Sequence, residues 1–202
     1  MRKNTNKRAV SVNELLKTKL RCFNFVGCWQ DSFGLPERRG TWIIWGKSGN
    51  GKTYFALQLA KYLASLGEQV VYNSLEQGIS VSMQRAYGLI DMTSVARNLL
   101  LLDKEPIEEL IARLSKHKSP NIIFIDSLQY AGLTYAEYKH LRQKFRAKLF
   151  IFISHADGSN PAGRVASSIR YDVDVKIWVE GYKAFPVSRY GGGEVYTIWD
   201  KQ

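Results

Sequence analysis

Apolar positions along the chain follow two rhythms. Short unbroken runs occur at "TWIIW" (41–45), "QVVYNS" (69–74), "NLLLLD" (98–103), "NIIFID" (121–126) and "KLFIFIS" (148–154). Such runs, flanked by turn-forming residues, read as strands buried on both faces. Between them lie longer stretches with helical spacing. "KTYFALQLAKYLASLG" (52–67) places Phe55, Ala56, Leu59, Ala60 and Leu63 on one side and stops at Gly67. "SVSMQRAYGLI" (80–90), "IEELIARLSKH" (107–117) and "YAEYKHLRQKFR" (135–146) read the same way, the last with Tyr138, Leu141 and Phe145 on one side. Strands alternating with helices predict an α/β fold with a mainly parallel sheet flanked by helices. Beyond residue 154 the rhythm changes. "VDVKIWVE", "KAFPVSR" and "EVYTIWD" are separated by glycine-containing turns and predict antiparallel strands at the C-terminal edge. Near the start, Ser11 with Glu14 three later is a capping-box signature, and Leu15, Leu16 and Leu20 follow as a short amphipathic helix. The expected organisation is a basic arm with that helix over 1–21 and one domain over 22–202.

Composition narrows the class. The chain has 202 residues, 45% hydrophobic and 23% charged, and no apolar stretch of membrane-spanning length. The basic start "MRKNTNKRAV" has no apolar core after it, so it is not a secretory signal. Cys22 and Cys28 fit neither a zinc ribbon nor a disulfide framework, and both are expected as small core residues in a cytoplasmic protein. The net charge of +11 favours a polyanionic partner. Basic residues cluster in 1–21, where Glu14 is the one acid, and in "KHLRQKFRAK" (139–148), which has none. A solvated face would account equally well for such clusters.

The segment "GKSGNGKT" (46–53) changes the picture, because it joins a strand to a helix. A phosphate chain needs donors converging from one side. Gly46, Gly49 and Gly51 free the backbone to curl, and the N–H groups from Lys47, Ser48 and Asn50 onward form a nest. Lys52 brings a charge to the outer phosphates, Thr53 a hydroxyl for Mg²⁺, and the helix its positive end. The pattern G-x-x-x-x-G-K-[ST] in this setting predicts an ATP site.

Three residues at strand ends complete the candidate chemistry. Asp126 closes "NIIFID" at the carboxyl edge of the sheet, where a ligand crevice lies in open α/β folds, and suits the Mg²⁺ shell. Glu76, just after "VVYNSL", is the candidate general base for a water attacking the terminal phosphate. His155 follows "LFIFIS" at the same edge. It is expected either to sense the γ-phosphate or the nucleic acid, or only to cap the strand.

Together, "GKSGNGKT", "NSLEQGISVSMQRAYGLI", "IIFIDSLQY", "SHADGSNPAGRVASSIRYDVDVKIWVEG" and "SRYGGGEVYTIWD" resemble the RecA-type ATPase core, with the flavour of RadA/Sms and DnaB. Glu76 followed by Gln84, Arg85 and Ala86 matches the glutamate strand end and Gln-Arg-Ala helix of RadA-like proteins. Asp126, Ser127, Leu128 and Gln129 match their Asp-Ser-Ile-Gln segment, with leucine for isoleucine. His155, Ala162, Gly163, Val173 and Asp174 match further pieces. The resemblance runs over about 28–200.

The resemblance implies a Mg²⁺-dependent ATPase acting on single-stranded DNA in recombination, repair or replication. It implies a ring or filament of copies with active sites between subunits. A neighbour's cation then reaches the phosphate from a Lys-x-Arg element. Here Arg189 fits the arginine, Val187 stands at the lysine, and Lys183 is a candidate replacement. The DNA-facing loops are expected at 127–135, with Tyr130 either stacking on a base or packing as a core aromatic, and at 156–168, a mobile segment carrying Arg164. The short helix at Leu15 and Leu16 either docks on the next subunit or folds on its own core. Trp29 and Phe33 are the candidate adenine contacts. Neither a zinc module nor a DnaB-type helical domain precedes the core, so a free-standing core of the kind phages and mobile elements encode is expected. The alternative is a KaiC-like or loader-type ATP switch that binds a protein partner without DNA.

Overall fold

A computed structural model describes residues 9–199. Along the chain run α1 (Val12–Lys17), α2 (Cys28–Phe33), β1 (Gly40–Gly46), α3 (Lys52–Ser65), β2 (Val70–Ser74), α4 (Val81–Ile90), β3 (Leu99–Asp103) and α5 (Ile107–Leu114). Then follow β4 (Ile122–Asp126), α6 (Leu128–Ala131), α7 (Tyr135–Lys144), β5 (Leu149–Asp157), β6 (Asn160–Pro161), α8 (Arg164–Asp172), β7 (Val175–Glu180), β8 (Lys183–Ser188) and β9 (Tyr196–Thr197).

The sheet order is β3-β2-β4-β5-β1-β7-β8-β9, with β6 folded back on β5. Strands β3 to β7 of this path pair in parallel; β8 and β9 pair antiparallel at the edge. All-apolar strands make sense here because successive residues feed two cores. Trp42 and Ile44 of β1 face the layer of α2 and α3, with Phe55, Tyr72 and Phe124. Ile43 and Trp45 face the layer of α5, α7 and α8, with Tyr138, Leu141, Phe152 and Ile169. The side of α7 read from its spacing is the buried one: Tyr138, Leu141 and Phe145 are all buried.

Several expectations need correcting. The segment 156–168 is not a free loop: its first half folds back as β6, and Arg164 opens α8, capped by Gly163. Helix α8 was hidden because its few apolar positions, Ala166 and Ile169, are embedded in a polar run. Tyr130 lies on a short helix rather than in a loop and is 58% exposed, so it is not a core aromatic. Cys28 is exposed and Cys22 only partly buried, so neither is a core thiol. The third edge strand keeps just two residues, because Gly191, Gly192 and Gly193 all take positive φ and loosen the segment before it.

Helix α1 carries its capping box: Glu14 N–H donates to Ser11 Oγ at 3.2 Å, and Ser11 N–H donates to Glu14 Oε2 at 3.0 Å. It buries no residue, and Val12 and Leu16 are 73% and 79% exposed. The helix therefore does not fold on its own core. The first eight residues of the basic arm lie outside the described residues. No helix of the described residues is long and apolar enough to cross a membrane.

Candidate nucleotide site

The carboxyl ends of β1, β2, β4 and β5 meet at one edge and surround a cleft of about 630 Å³. Lys47, Ser48, Gly49, Gly51, Lys52 and Thr53 form one wall. Glu76, Asp126 and His155 form the other. Four separate segments of the sequence thus deliver their polar ends to one space because all are parallel strands with the same polarity.

Two glycines of the loop have the predicted freedom: Gly49 and Gly51 sit at φ 77° and 95°. Gly46 serves a different purpose. Its φ is not positive, and a Cβ there would lie 2.2 Å from the carbonyl oxygen of Val179 on β7. It permits close strand contact rather than a curl. Asn50 locks the loop to the β7–β8 turn. Its Oδ1 accepts from Gly181 N–H at 2.9 Å, and its carbonyl accepts from Tyr182 N–H at 3.3 Å. Lys52 Nζ donates to the Lys47 carbonyl at 3.0 Å, holding the ammonium over the loop. Burial lowers the Lys52 pKa, while Asp126 and Glu76 oppose that shift.

Asp126 is buried, and burial raises its pKa to about 6. Tyr72 from β2 donates its hydroxyl to Asp126 Oδ2 at 2.6 Å and works against that rise. The Asp126 carbonyl accepts from Leu75 N–H at 2.6 Å and Glu76 N–H at 3.0 Å. The same residue therefore offers a carboxylate to the cleft and fixes the turn that aims Glu76. Glu76 Oε2 lies 2.8 Å from His155 Nε2.

A third residue joins this pair to the loops beyond it. Gln129 Nε2 donates to Ser154 Oγ at 2.9 Å and to the Ala162 carbonyl at 3.0 Å. Its Oε1 accepts from His155 N–H at 3.1 Å. The Tyr130 ring meets the His155 ring edge-on, with centroids 6.4 Å apart.

Other predicted residues lie elsewhere. Trp29 and Phe33 are buried and stacked on each other and on Tyr62 or Trp42, so they cannot contact adenine. Tyr54 and Trp199, in edge-on contact at 5.6 Å, and Tyr182, 3.1 Å from where a Gly51 Cβ would be, are the aromatics near the loop. Nothing in the periodicity marked them. The adjacency of Tyr54 to Thr53 was the one available signal. Arg189 follows β8 at the opposite edge from the P-loop, where Nη1 lies 3.2 Å from Asp174 Oδ1. Lys183 begins the same strand and pairs with Glu180 beside the P-loop. A six-residue strand, about 17 to 20 Å long, separates the two, so Lys183 cannot stand in for the lysine missing at Val187.

Mg²⁺ fits this donor set. Among the described residues no cluster of three His, Cys, Asp or Glu could hold a metal alone. Mg²⁺ binds through one or two protein oxygens with nucleotide phosphates and water completing its shell. Thr53 Oγ1 and the Asp126 carboxylate, both on the cleft, are suited to that part.

No family model matches the chain. A stretch of 92 residues is 28% identical to the DNA repair and recombination protein RadB of Methanosphaera stadtmanae, covering 42% of this chain and 40% of that protein. The chain thus matches less than half the length of this curated relative. Among solved structures, the ATPase domain of G40P superposes with a TM-score of 0.56 at 18% identity, over 78% of this chain and 79% of that one. A KaiC-like protein of Pyrococcus horikoshii gives 0.62 at 15% identity, over 85% and 88%. With its strand order, its P-loop and these neighbours, the chain has the fold of the RecA-type P-loop ATPase core and resembles the RadA- and DnaB-like members.

Proposed function

We propose that the chain is a Mg²⁺-dependent ATPase that uses hydrolysis to change its grip on single-stranded DNA. The observation that carries this is the Glu76–His155 contact at 2.8 Å, in a cleft shared with the P-loop.

The chemistry follows from the placement. The P-loop N–H groups and Lys52 hold the phosphates, and adenine rests against Tyr54, Trp199 and Tyr182. Thr53 and Asp126 would hold Mg²⁺, which would supply positive charge to the phosphates. Glu76 orients a water toward the γ-phosphorus and takes its proton as the new P–O bond forms. The bond to the ADP oxygen breaks, leaving ADP and phosphate. A γ-phosphate entering beside His155 draws that ring away from Glu76. Through Gln129 the movement reaches both 127–135 and the β5–α8 segment. Tyr130, exposed on the first, stacks on a base, and Arg164, exposed on the second, pairs with phosphates without reading sequence.

The site is completed by a second copy. Arg189 is at the sheet edge away from its own P-loop, so it serves a neighbour's phosphate in a ring or filament. The exposed apolar side chains of α1 suit a subunit contact. The 28% identity to a protein named for DNA repair and recombination supports the DNA reading over a switch that binds a protein partner. No membrane partner is expected.

The deciding experiment measures phosphate release with and without single-stranded DNA, alongside particle mass with an ATP analogue. Several-fold stimulation and a multimer support the proposal. A flat response to DNA in an active, assembled enzyme would return the reading to the protein-partner switch.

A further inference from the structure

The sheet has a second edge, at the amino ends of the parallel strands and away from the chain's own P-loop. The segments entering β3, β4, β5 and β1, including the last residue of α7, carry Arg97, then Lys116 and Lys118, then Lys144 and Arg146, then Arg38 and Arg39. All seven side chains are exposed. The acids beside them are engaged: Glu68 by Arg38 at 2.9 Å, Glu37 by Arg39 at 2.8 Å and Asp174 by Arg189 at 3.2 Å. Among the described residues no carboxylate pairs with Arg97, Lys116, Lys118, Lys144 or Arg146. The nucleotide edge mixes signs, with Glu76, Asp103, Asp126 and Asp157 beside Lys47, Lys52 and Lys104.

These loops form one surface rather than scattered tips. Gly40 N–H donates to the Lys148 carbonyl at 3.0 Å. Lys148 Nζ donates to the Pro120 carbonyl at 2.6 Å and to Ser119 Oγ at 2.9 Å. Asn121 N–H donates to the Gln69 carbonyl at 2.9 Å, and Gln69 Nε2 donates to Asn98 Oδ1 at 2.9 Å. Lys148 is spent internally, which leaves its neighbours to face solvent from a fixed backbone. The four adjacent strand ends from β3 to β5, at about 4.8 Å spacing, span about 14 Å. That length matches about four phosphates along one nucleic-acid strand.

We propose that this edge is a second nucleic-acid site, taking the phosphodiester backbone of DNA through Arg97, Lys116, Lys118, Lys144 and Arg146 on the face away from the P-loop. A phosphate backbone is favoured over an anionic lipid surface because the loops into β3, β4 and β5 present no exposed large apolar side chain to enter a bilayer. The site goes beyond the hydrolytic reading and does not depend on it. One copy can hold one DNA segment at the ATP-linked loops and a second segment here.

The test is run without nucleotide, so its failure is separate from failure of the ATPase reading. Lys116→Gln, Lys118→Gln, Lys144→Gln and Arg146→Gln are combined, and binding of labelled duplex DNA is followed by anisotropy across salt. Affinity falls at least about tenfold at low salt, and the slope of log K against log salt becomes shallower by about 3 to 4, near 0.9 per lost phosphate contact. Basal ATPase of the variant stays near that of the parent. In the unmodified protein, DNA shields Lys116, Lys118 and Lys144 from acetylation but leaves Lys61, on α3, unshielded. Unchanged affinity and slope, or acetylation that DNA does not slow, overturns the proposal. So does a variant that keeps DNA binding but loses binding to phosphatidylserine vesicles.

Discussion

Glu76 and His155, 79 residues apart, touch at 2.8 Å at the carboxyl edge of the sheet. One is placed by the turn after β2, whose N–H groups of Leu75 and Glu76 rest on the Asp126 carbonyl. The other belongs to β5, where the chain leaves toward β6 and α8. A proposed hydrolytic base is therefore in direct contact with the root of a proposed DNA-binding segment. Any event that moves one ring or carboxylate is felt by the other.

Glu76→Gln keeps the shape of the side chain and removes its basicity. Phosphate release falls by about 10² to 10⁴, the range of general-base catalysis, while nucleotide binding is retained. Lys52→Ala does the opposite and loses nucleotide binding itself. Stopped phosphate release together with nucleotide-binding fluorescence separates the two. Full turnover in both variants would refute the assignment.

Gln129 links the Ser154 hydroxyl, the His155 N–H and the Ala162 carbonyl through one amide. It does not face the phosphates, so Gln129→Ala leaves basal hydrolysis within about threefold while stimulation by single-stranded DNA drops to near unity. Losing these hydrogen bonds costs about 1 to 3 kcal/mol of stability, which thermal melting reads separately. A variant with normal stimulation would show that the loops signal by another route.

Much of this architecture is written locally. The P-loop is contiguous, and its strand and helix announce themselves by period. Asp126, Glu76 and His155 could be placed at one edge because parallel strands deliver their last residues there. Features made by distant partners were not legible. Tyr72 reads as one more apolar strand position, yet its hydroxyl holds Asp126. Gly46 reads as a phosphate-loop glycine, yet it is required by Val179. Trp29 and Phe33 read as base contacts because exposed and buried aromatics look alike in sequence. Helix α8 escaped because Gly163 and Pro161 mask a start that only the packing of Ala166 and Ile169 secures.

The buried carboxyl of Asp126 makes metal-free stability depend on pH. Its pKa rises from 3.8 to about 6 on folding, mainly through burial. The folded state therefore holds the proton more tightly, and stability is lost as pH climbs from about 4 through about 6. Asp126→Asn cannot ionise and still accepts from the Tyr72 hydroxyl. In chelator, the variant is more stable than the parent above about pH 6, by about 2 to 3 kcal/mol, and the two converge near pH 4. Thermal melts across that window check the crossover. A parent curve parallel to that of the variant would mean that Asp126 stays ordinary in acidity.

Arg189 and Lys52 belong to opposite edges of the sheet, so an active site that needs both must draw them from two copies. Arg189→Ala removes the cation but little fold stability, since its pairing with Asp174 leaves the arginine side chain 61% exposed and Asp174 keeps the Thr41 N–H at 3.0 Å. Turnover falls steeply, by up to about 10³, where the arginine meets the neighbour's phosphate. Lys52→Ala is inactive for the separate reason that it binds no nucleotide. Mixed and reassembled, the two variants restore activity, because a subunit with an intact P-loop then sits beside one with an intact Arg189. Random head-to-tail mixing of equal amounts places such a pair at about one interface in four, so recovery approaches about a quarter of the parent rate. Recovery requires exchange of subunits and vanishes at dilutions where the particle mass is that of one chain. Two inactive variants that stay inactive together, in a multimer shown to mix, would place Arg189 outside the hydrolytic site.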